Sequence, residues 1–235
     1  MEELEGKVAL ITGASGGIGA AVARSLHEAG ASVGLISRHG DDLGLERALG
    51  VACDVRDRES VARATRAIVE RFGRLDVLVA NAGLGAYGPF LELDPAQVEE
   101  IIDVNLKGTL YTAAAALPHL IESGAGDFVA LASVAGVRAF PGESVYNASK
   151  FGQVGFTRSL DHELREQGVR CTCICPGGVH TRFAIGSGRE EGDPALDEML
   201  SAEDVAEFVR FAVTRPRHLR VLTTTFRPMA EPSWG

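Results

Sequence analysis

The amino-acid sequence predicts an α/β fold, a doubly wound parallel sheet of about seven strands with helices on both faces. Short apolar runs typical of buried strands alternate with longer runs at helical spacing along the whole chain. Such alternation implies right-handed crossovers, which make successive strands parallel. A glycine-rich turn joins the first strand to the first helix, and no linker or shift of composition interrupts the 235 residues. We therefore expect residues 1–235 to form a single domain.

The first half of the chain contains four predicted strands and two predicted helices. Residues 7–12 are apolar and short, residues 17–29 repeat at helical spacing, and residues 32–37 form the second strand. The segment between Ser37 and Val51 is too short for a full helix, so we expect a turn there. The remaining elements of this half are a strand at 51–55, a helix at 58–72 and a strand at 75–80.

Capping residues mark the elements of the second half. Asp94 is a good N-cap and Pro95 favours the first helical turn, so a helix begins there and is expected to bend or break near Pro118. Gly168 ends a long helix, and Ser201 caps the last one. The predicted elements are helices at 95–121, 144–167 and 202–213 and strands at 128–133, 169–175 and 219–226.

Charge and hydropathy exclude several classes of function. A net charge of −9 disfavours binding to nucleic acid or to an anionic membrane surface. No apolar run reaches the roughly 18–20 residues that a membrane-spanning helix needs, and the acidic start MEELEGK is unlike a signal peptide. We expect a cytoplasmic protein whose partners include neither nucleic acid nor a membrane.

Three of the four cysteines, Cys171, Cys173 and Cys175, alternate with other residues in a strand-like run. A period of two places their thiols on one face of the strand. Free cysteine commonly packs as a small buried hydrophobic residue, and neither a fourth ligand nor a second Cys-x-x-Cys pair accompanies the run. We therefore expect buried thiols and no metal, a metal site being the alternative.

The turn between the first strand and the first helix reads TGASGGIG over residues 12–19. Gly13 allows a tight turn, Gly17 lets the backbone approach a pyrophosphate, and Gly19 permits close packing of helix and strand. The N-terminus of the following helix offers free N–H groups and the positive end of its dipole. A strand before the turn and a helix after it are the context that a dinucleotide-binding site requires. A purely structural turn is the alternative.

The spacing T-G-x-x-x-G-x-G and several later motifs resemble the short-chain dehydrogenase/reductase (SDR) family. The later motifs are Asn-Ala-Gly at 81–83, Asn105, Ser133, Tyr-x-x-x-Lys at 146–150 and Pro-Gly-x-x-x-Thr at 176–181. The resemblance covers residues 6–226, nearly the whole chain. It implies a Rossmann fold, an NAD(P)-dependent oxidoreductase acting on CH–OH groups, and a homodimer or homotetramer.

Tyr146 and Lys150 are four residues apart on a predicted helix and share one face. A neighbouring ammonium favours ionisation of a tyrosine, so Tyr146 can exchange a proton with a carbonyl or alcohol oxygen that Ser133 holds. The resemblance implies that Lys150 also holds the nicotinamide ribose and that Asn105 supports a proton-relaying water. Each residue alone also has a structural interpretation, as a surface pair, a turn residue or a backbone contact. The joint pattern favours a catalytic set of Asn105, Ser133, Tyr146 and Lys150.

Glycine turns, strand ends and the matched motifs together predict the cofactor-binding residues. Asp54 matches a residue that contacts adenine in the family, and a turn cap is the alternative. Asn81 either touches the cofactor or holds strands together. The predicted set is Gly13, Ser15, Gly17, Ile18, Gly19, Ser37, Arg38, Asp54, Val55, Asn81, Ala82, Gly83, Tyr146, Lys150, Pro176, Gly177, Val179 and Thr181.

The end of the second strand predicts a preference for NADP(H) over NAD(H). An acidic residue there selects NAD by binding the ribose 2′-hydroxyl, whereas an arginine accommodates the 2′-phosphate of NADP. This chain has Ser37 and Arg38, and no acid before Asp41. Ser15 and Gly16 supply no second basic residue, which weakens the preference. A solvated Arg38 is the alternative.

Substrate contacts are expected from residues 84–87, 134–140 and 179–199. Aromatic side chains there suggest a partly apolar pocket, and Arg138 or Arg182 could bind a carboxylate, although surface arginines are commoner. The predicted substrate-binding residues are Ser133, Phe140, Tyr146 and Phe183. The leading hypothesis is reduction of a small ketone or aldehyde, or oxidation of the alcohol. A 3-oxoacyl-thioester reductase and a non-catalytic NADP-binding redox sensor are the alternatives.

Two features depart from the family pattern. Ala80 occupies a position where many relatives have a second asparagine, and the ending LTTTFRPMAEPSWG lacks the usual glycines. That ending often forms subunit contacts, so it leaves the choice between dimer and tetramer open. We expect subunits to pair through small residues on the helices of Asn105 and Tyr146, as relatives do. His180 is either a solvated loop residue or a neighbour of the nicotinamide.

Overall fold

The computed structural model describes residues 3–231. The strands are β1 (Val8–Thr12), β2 (Ser32–Ser37), β3 (Ala48–Ala52), β4 (Val77–Ala80), β5 (Asp127–Leu131), β6 (Arg170–Pro176) and β7 (Thr223–Phe226). The helices are α1 (Gly17–Glu28), α2 (Arg58–Phe72), α3 (Pro95–Ile101), α4 (Gly108–Glu122), α5 (Ser144–Leu164) and α6 (Ala202–Thr214). Within the described residues the seven strands form one parallel sheet in the order β3-β2-β1-β4-β5-β6-β7. The predicted fold class is therefore confirmed. Expectations about residues 1–2 and 232–235 lie outside the described residues.

Helices cover both faces of the sheet. On one face α2, α4 and α5 enclose a core that includes Ile68, Leu120 and Leu160. On the other face α1 and α6 pack together through a core that includes Leu26 and Val209. Burial of such a side chain contributes about 1.5–3 kcal/mol relative to its exposure. Within residues 3–231 no helix is long and apolar enough to cross a membrane.

Capping residues close in sequence determine the ends of several helices, largely as the sequence predicts. The Asp57 side chain accepts two backbone N–H groups of the first turn of α2, and Gly73 follows that helix with φ of 79°. Ser201 and Asp204 form a capping box at the start of α6. Residues 38–47 form turns without a helix, as their length predicts.

The predicted strand at 51–55 was placed too late, because the third strand is Ala48–Ala52. It is an edge strand, and most of its residues are only partly buried. A Cβ at Gly50 would lie 2.1 Å from the carbonyl oxygen of Gly40, so the site requires glycine rather than a typical strand residue. The chain leaves the sheet before Asp54, which starts the turn into α2.

The predicted helix at 95–121 is interrupted, but not at Pro118. A π-helical turn spans Ile102–Lys107, and α4 then continues through Pro118. The turn carries Asn105, whose side chain is fully buried. Single π-helical turns are frequent at functional sites.

The last strand is shorter than the sequence predicts, because β7 spans Thr223–Phe226 and the predicted strand was 219–226. It pairs with β6 only from Thr223 onward. The three cysteines of β6 are buried in one core cluster, and the sulfur atoms of Cys173 and Cys175 are 3.8 Å apart. Their packing in the core agrees with the expected placement on one face of the strand.

Candidate active site

The carboxyl ends of the central strands open into a cavity of about 1200 Å³. It lies beside β1, where the strand order reverses, the position at which doubly wound sheets bind ligands. This volume exceeds the roughly 300–1,000 Å³ typical of a pocket for one small ligand. The cavity therefore has room for a dinucleotide together with a small substrate.

The turn after β1 presents mainly glycine backbone to this cavity. Gly13 has φ of 66°, and a Cβ there would lie 2.9 Å from the Cα of Ala82. A Cβ at Gly19 would lie 2.3 Å from the carbonyl oxygen of Gly13. Gly17, with φ of 51°, begins α1 and lies on the cavity wall. A bare turn at a helix N-terminus fits the pyrophosphate of a nicotinamide dinucleotide.

Asn81 connects the ends of β1 and β4. Its side-chain amide donates to the carbonyl oxygens of Thr12 and Gly13, at 2.9 and 3.2 Å. The Thr12 hydroxyl accepts the backbone N–H groups of Asn81 and Ala82, both at 3.0 Å. Asn81 thus holds the two strand ends together, and it also lines the cavity.

Tyr146 projects from α5 into the cavity and is only 6% exposed. The ring centroids of Tyr87 and Phe183 each lie 5.8 Å from that of Tyr146. Burial raises the pKa of Tyr146 above its ordinary value, and a hydrogen bond with Ser133 opposes the shift only in part. The spacing of Tyr146 and Lys150 predicts that the ammonium lowers the pKa of Tyr146, but in the protein alone burial outweighs that effect. Tyr146 is therefore protonated at neutral pH.

Lys150 lies one turn further along α5 and is 3% exposed. Its ammonium donates to the carbonyl oxygen of Leu131 and to Oε1 of Gln153, both at 2.9 Å. It is 5.6 Å from the ring centroid of Tyr146. Burial lowers the pKa of Lys150 to about 8, so most of its charge is still present at pH 7.

Asn105 holds the loop after β4. Its amide donates to the carbonyl oxygen of Leu84 at 2.9 Å and to Oγ of Ser149 at 3.0 Å, while its Oδ1 accepts the N–H of Leu84 at 2.9 Å. Its main-chain carbonyl accepts from the side chains of Thr109 and Gln153, at 2.7 and 2.8 Å. These side-chain donors satisfy a main-chain carbonyl at the π-helical turn.

Sequence reasoning missed Gln153, which links Lys150 to Asn105 and is fully buried. The available signal was its polar character three residues after Lys150, since residues at i and i+3 share a helix face. It also missed Asn147, whose side-chain amide donates to two carbonyl oxygens of the loop at 134–138. That contact holds the loop that follows Ser133.

The opposite end of the cavity is more exposed. Arg38 lines the cavity after β2 and is exposed. The Ser37 hydroxyl accepts the N–H of Gly40 at 3.0 Å, so this residue shapes the turn. Asp54 forms an ion pair with Arg56 at 2.6 Å, and hydrogen bonds from Arg56 lower its pKa. Asp54 is thus engaged with its own turn.

Most of the predicted cofactor-binding residues meet in this one cavity. Those that line it are Gly13, Ser15, Gly17, Ile18, Arg38, Asn81, Ala82, Gly83, Tyr146, Lys150, Pro176, Gly177, Val179 and Thr181. The predicted substrate-binding residues Ser133, Phe140, Tyr146 and Phe183 line it as well. Outside the lining are Gly19, Ser37, Asp54, Val55 and Asn105.

The expected carboxylate-binding arginines have different positions. Arg182 lines the cavity and is exposed, whereas Arg138 is not part of the lining. His180 is on the cavity wall and is also exposed. These placements leave the sequence-based alternatives for Arg182 and His180 open.

The last described residues fold back onto the cavity. Oε1 of Glu231 accepts the N–H of Gly178 at 2.7 Å, and the other carboxylate oxygen forms an ion pair with Arg227. Both side chains line the cavity beside the turn at 176–178. The unusual C-terminal sequence therefore contributes to the site, which its lack of glycines did not indicate.

Comparison with known proteins identifies close similarity over nearly the whole length. A family model described as short chain dehydrogenase matches residues 7–192. An uncharacterised oxidoreductase of Staphylococcus aureus strain N315 is 35% identical over 236 residues, covering 97% of this chain and all of that protein.

Solved structures of similar fold and sequence extend this comparison. An alcohol dehydrogenase from the archaeon Thermococcus sibiricus, complexed with 5-hydroxy-NADP, has a TM-score of 0.87 and 32% identity, covering 97% of this chain and 99% of that one. A 3-ketoacyl-(acyl-carrier-protein) reductase from Brucella melitensis, complexed with NADH, has a TM-score of 0.86 and 29% identity, covering 95% and 98%. The similar structures thus hold both kinds of nicotinamide cofactor.

Proposed function

The chain belongs to the short chain dehydrogenase family of oxidoreductases, and on that premise we propose that it is an NADP(H)-dependent enzyme that interconverts a small ketone or aldehyde with the alcohol. One observation carries the proposal. Ser133, Tyr146 and Lys150 line the same cavity as the bare glycine turn. A proton donor and a dinucleotide cradle thereby share one site.

The side chains at this site supply the proton chemistry. When bound, the nicotinamide donates or accepts the hydride. The Ser133 hydroxyl hydrogen-bonds the substrate oxygen, and Tyr146 donates its proton to that oxygen during reduction. Because burial keeps Tyr146 protonated, the protein alone is prepared for reduction of a carbonyl. Alcohol oxidation requires additional positive charge near Tyr146 to stabilise its ionised form.

Lys150 supports Tyr146 from one helical turn away. Its hydrogen bonds to Leu131 and Gln153 fix the ammonium in the cavity wall. Through Gln153 it is connected to Asn105, which in turn holds the loop after β4. We assign Lys150 to binding of the nicotinamide ribose and to stabilisation of charge on Tyr146. Asn105 is assigned to support of the proton path.

Cofactor preference follows from the exposed end of the cavity. Arg38 is on the lining there, and its fork of donors suits a phosphate. Solved structures similar to this chain include complexes with an NADP derivative and with NADH, so the preference rests on Arg38 itself. We expect tighter binding of NADPH than of NADH.

We also propose a homodimer or homotetramer in which α4 and α5 pair between subunits. Leu110 on α4 and Phe151 on α5 are exposed large hydrophobic side chains. The Gly155 position has open space around it on α5. Light scattering at micromolar concentration is expected to give a dimeric or tetrameric mass, and a monomeric mass would refute this assembly.

A carbonyl panel tests the proposed activity. Purified protein is incubated with small ketones and aldehydes and with NADPH or NADH, and oxidation of the cofactor is followed by absorbance. Consumption of NADPH that requires a carbonyl compound is expected, with Tyr146→Phe as the matched inactive control. Tight NADPH binding without turnover across the panel would instead favour the redox-sensor alternative.

A further inference from the structure

Two charged side chains beside Tyr146 have no part in the proposed acid–base chemistry. Glu143 and Arg189 both line the cavity that Ser133 and Tyr146 line. Glu143 immediately precedes α5, and Arg189 belongs to the segment after the turn at 176–181. The site therefore presents both signs of charge near the proposed reacting position.

Glu143 is a partly buried carboxylate without a partner. It is the N-cap residue of α5, but its side chain caps no backbone N–H. Within residues 3–231 its carboxylate makes no hydrogen bond or ion pair. Burial raises its pKa, Arg189 opposes this shift and Glu231 adds to it. A carboxylate that has lost water without gaining a partner gains most from a bound cation.

Arg189 is held in place by its surroundings. The N–H of Tyr87 donates to the carbonyl oxygen of Ser187 at 3.0 Å, and a Cβ at Gly188 would lie 2.6 Å from the Cβ of Tyr87. The guanidinium donates from Nη1 to the carbonyl oxygen of Val179 at 3.2 Å. It makes no ion pair within the described part of the chain, so its remaining donors are available for an anion.

Other charged side chains around this part of the cavity are either engaged or exposed. Arg182 also lines the cavity and is exposed. Glu231 binds Arg227 and the N–H of Gly178. His180 is 3.7 Å from the carboxylate of Asp197. Glu143 and Arg189 therefore remain as the partly buried carboxylate and guanidinium that a ligand near Tyr146 can bind.

We propose that Glu143 and Arg189 determine substrate specificity and select a zwitterionic substrate, an amino acid that carries a hydroxyl or carbonyl group. Glu143 binds the ammonium, Arg189 binds the carboxylate, and Ser133 and Tyr146 hold the reacting oxygen. This inference rests on the proposed oxidoreductase function. In the oxidation direction the carbinol carbon loses a hydride, which the oxidised dinucleotide accepts, and the hydroxyl loses its proton to the ionised form of Tyr146, which nearby positive charge stabilises. The products are the amino oxo acid and the reduced dinucleotide.

Four secondary alcohols that carry different charged groups test the proposal. Threonine carries both groups, 3-hydroxybutyrate only the carboxylate, 1-amino-2-propanol only the ammonium, and 2-butanol neither. Each charge-assisted hydrogen bond is expected to change kcat/KM by roughly 10–150-fold. With NADP⁺ as oxidant, the wild-type protein should therefore favour threonine over each singly charged alcohol by at least tenfold.

Two variants distinguish the contribution of Glu143 from that of Arg189. Glu143→Gln should lower the ratio of kcat/KM for threonine over 3-hydroxybutyrate at least tenfold, because only threonine carries the ammonium. Arg189→Gln should lower the ratio for threonine over 1-amino-2-propanol by a similar factor. Glu191→Gln and Arg66→Gln change exposed residues outside the cavity lining and serve as matched controls.

Calorimetry provides a readout that does not depend on turnover. 2-Aminobutyrate, which lacks the hydroxyl, should bind the NADP⁺-loaded protein and lose at least tenfold in affinity in each cavity variant. Equal turnover of all four alcohols, or variants that change every compound alike, would overturn the charge selection while leaving the oxidoreductase intact. Failure to convert these alcohols and the neutral carbonyl panel would overturn the proposed function as well.

Discussion

The two ends of the cavity are built differently. At the Tyr146 end, Ser133, Tyr146 and Lys150 line the cavity, and Asn105 is connected to Lys150 through Gln153. All four of these catalytic candidates are at most 9% exposed. The hydrogen bonds of Asn105 and Lys150 reach buried partners. At the Arg38 end, the solvent-exposed guanidinium of Arg38 lines the cavity, and the nearby carboxylate of Asp54, outside the lining, is engaged by Arg56.

This difference indicates how each end responds to substitution. A buried group that loses its partner is left without water, so changes at the Tyr146 end have large effects. An exposed charge remains solvated in either case, so changes at the Arg38 end have smaller and more selective effects. The following predictions test this distinction.

Removal of the Tyr146 hydroxyl is expected to have the largest effect. Tyr146→Phe deletes the proton donor but keeps the ring that packs against Tyr87 and Phe183. Turnover should fall by about 10²–10⁴-fold, the usual contribution of a general acid. Cofactor affinity, measured by fluorescence titration, should change little. Tyr111→Phe on α4 is the matched control, and turnover of Tyr146→Phe within threefold of wild type would show that Tyr146 is not the acid.

Burial of Lys150 should make stability depend on pH. Its pKa is about 8 in the folded protein against an ordinary value of 10.5, so the unfolded chain binds more protons between these values. The free energy of unfolding should therefore rise from pH 8 to 10.5, by about 3 kcal/mol relative to Lys150→Met. Urea unfolding of both proteins at several pH values measures the difference. Equal pH slopes would contradict the buried ammonium.

A methyl group in the glycine turn should disturb both folding and cofactor binding. Because a Cβ at Gly19 meets the Gly13 carbonyl, Gly19→Ala should lower the free energy of unfolding by about 1–3 kcal/mol. It should also weaken NADPH binding. Gly16→Ala is the matched control for stability, since a Cβ there meets nothing within 4 Å. Denaturant unfolding with equal stability of the two variants would argue against the close contact.

The exposed Arg38 should affect selectivity alone. Arg38→Ala is expected to weaken NADPH binding tenfold or more, with little change for NADH, because only NADPH carries the 2′-phosphate. Calorimetric titration of both cofactors measures this. The contrast should shrink at high salt, since an exposed charge is screened. Equal affinity of the wild-type protein for NADH and NADPH would contradict the assignment.

The residues at the Tyr146 end could be predicted from sequence because the patterns that identify them are local. Tyr146 and Lys150 share a helix face by spacing alone, and the glycine turn lies between a recognisable strand and helix. By contrast, β3 was misplaced because an edge strand with Gly50 lacks the apolar pattern of a buried strand. In the π-helical turn the Asn105 carbonyl accepts from the distant side chain of Gln153, a contact that local spacing does not reveal.

The unpartnered charges could not be predicted for a related reason. Glu143 and Arg189 carry no periodic pattern, and many charged residues of the chain are exposed. Only the packing of Tyr87, Gly188 and the start of α5 shows that both side chains line the cavity without an ion pair. A side chain's lack of partners is a property of the fold and not of local sequence.

Rates and affinities measured on the same samples test the central distinction most directly. Single-turnover reduction at saturating NADPH and dissociation constants for NADPH and NADH are determined for wild type, Tyr146→Phe and Arg38→Ala. We predict that Tyr146→Phe loses at least 100-fold in rate with little change in affinity. Arg38→Ala should lose at least tenfold in NADPH affinity with a far smaller change in rate. Loss of both properties together in either variant would contradict the separation of chemistry from cofactor selection.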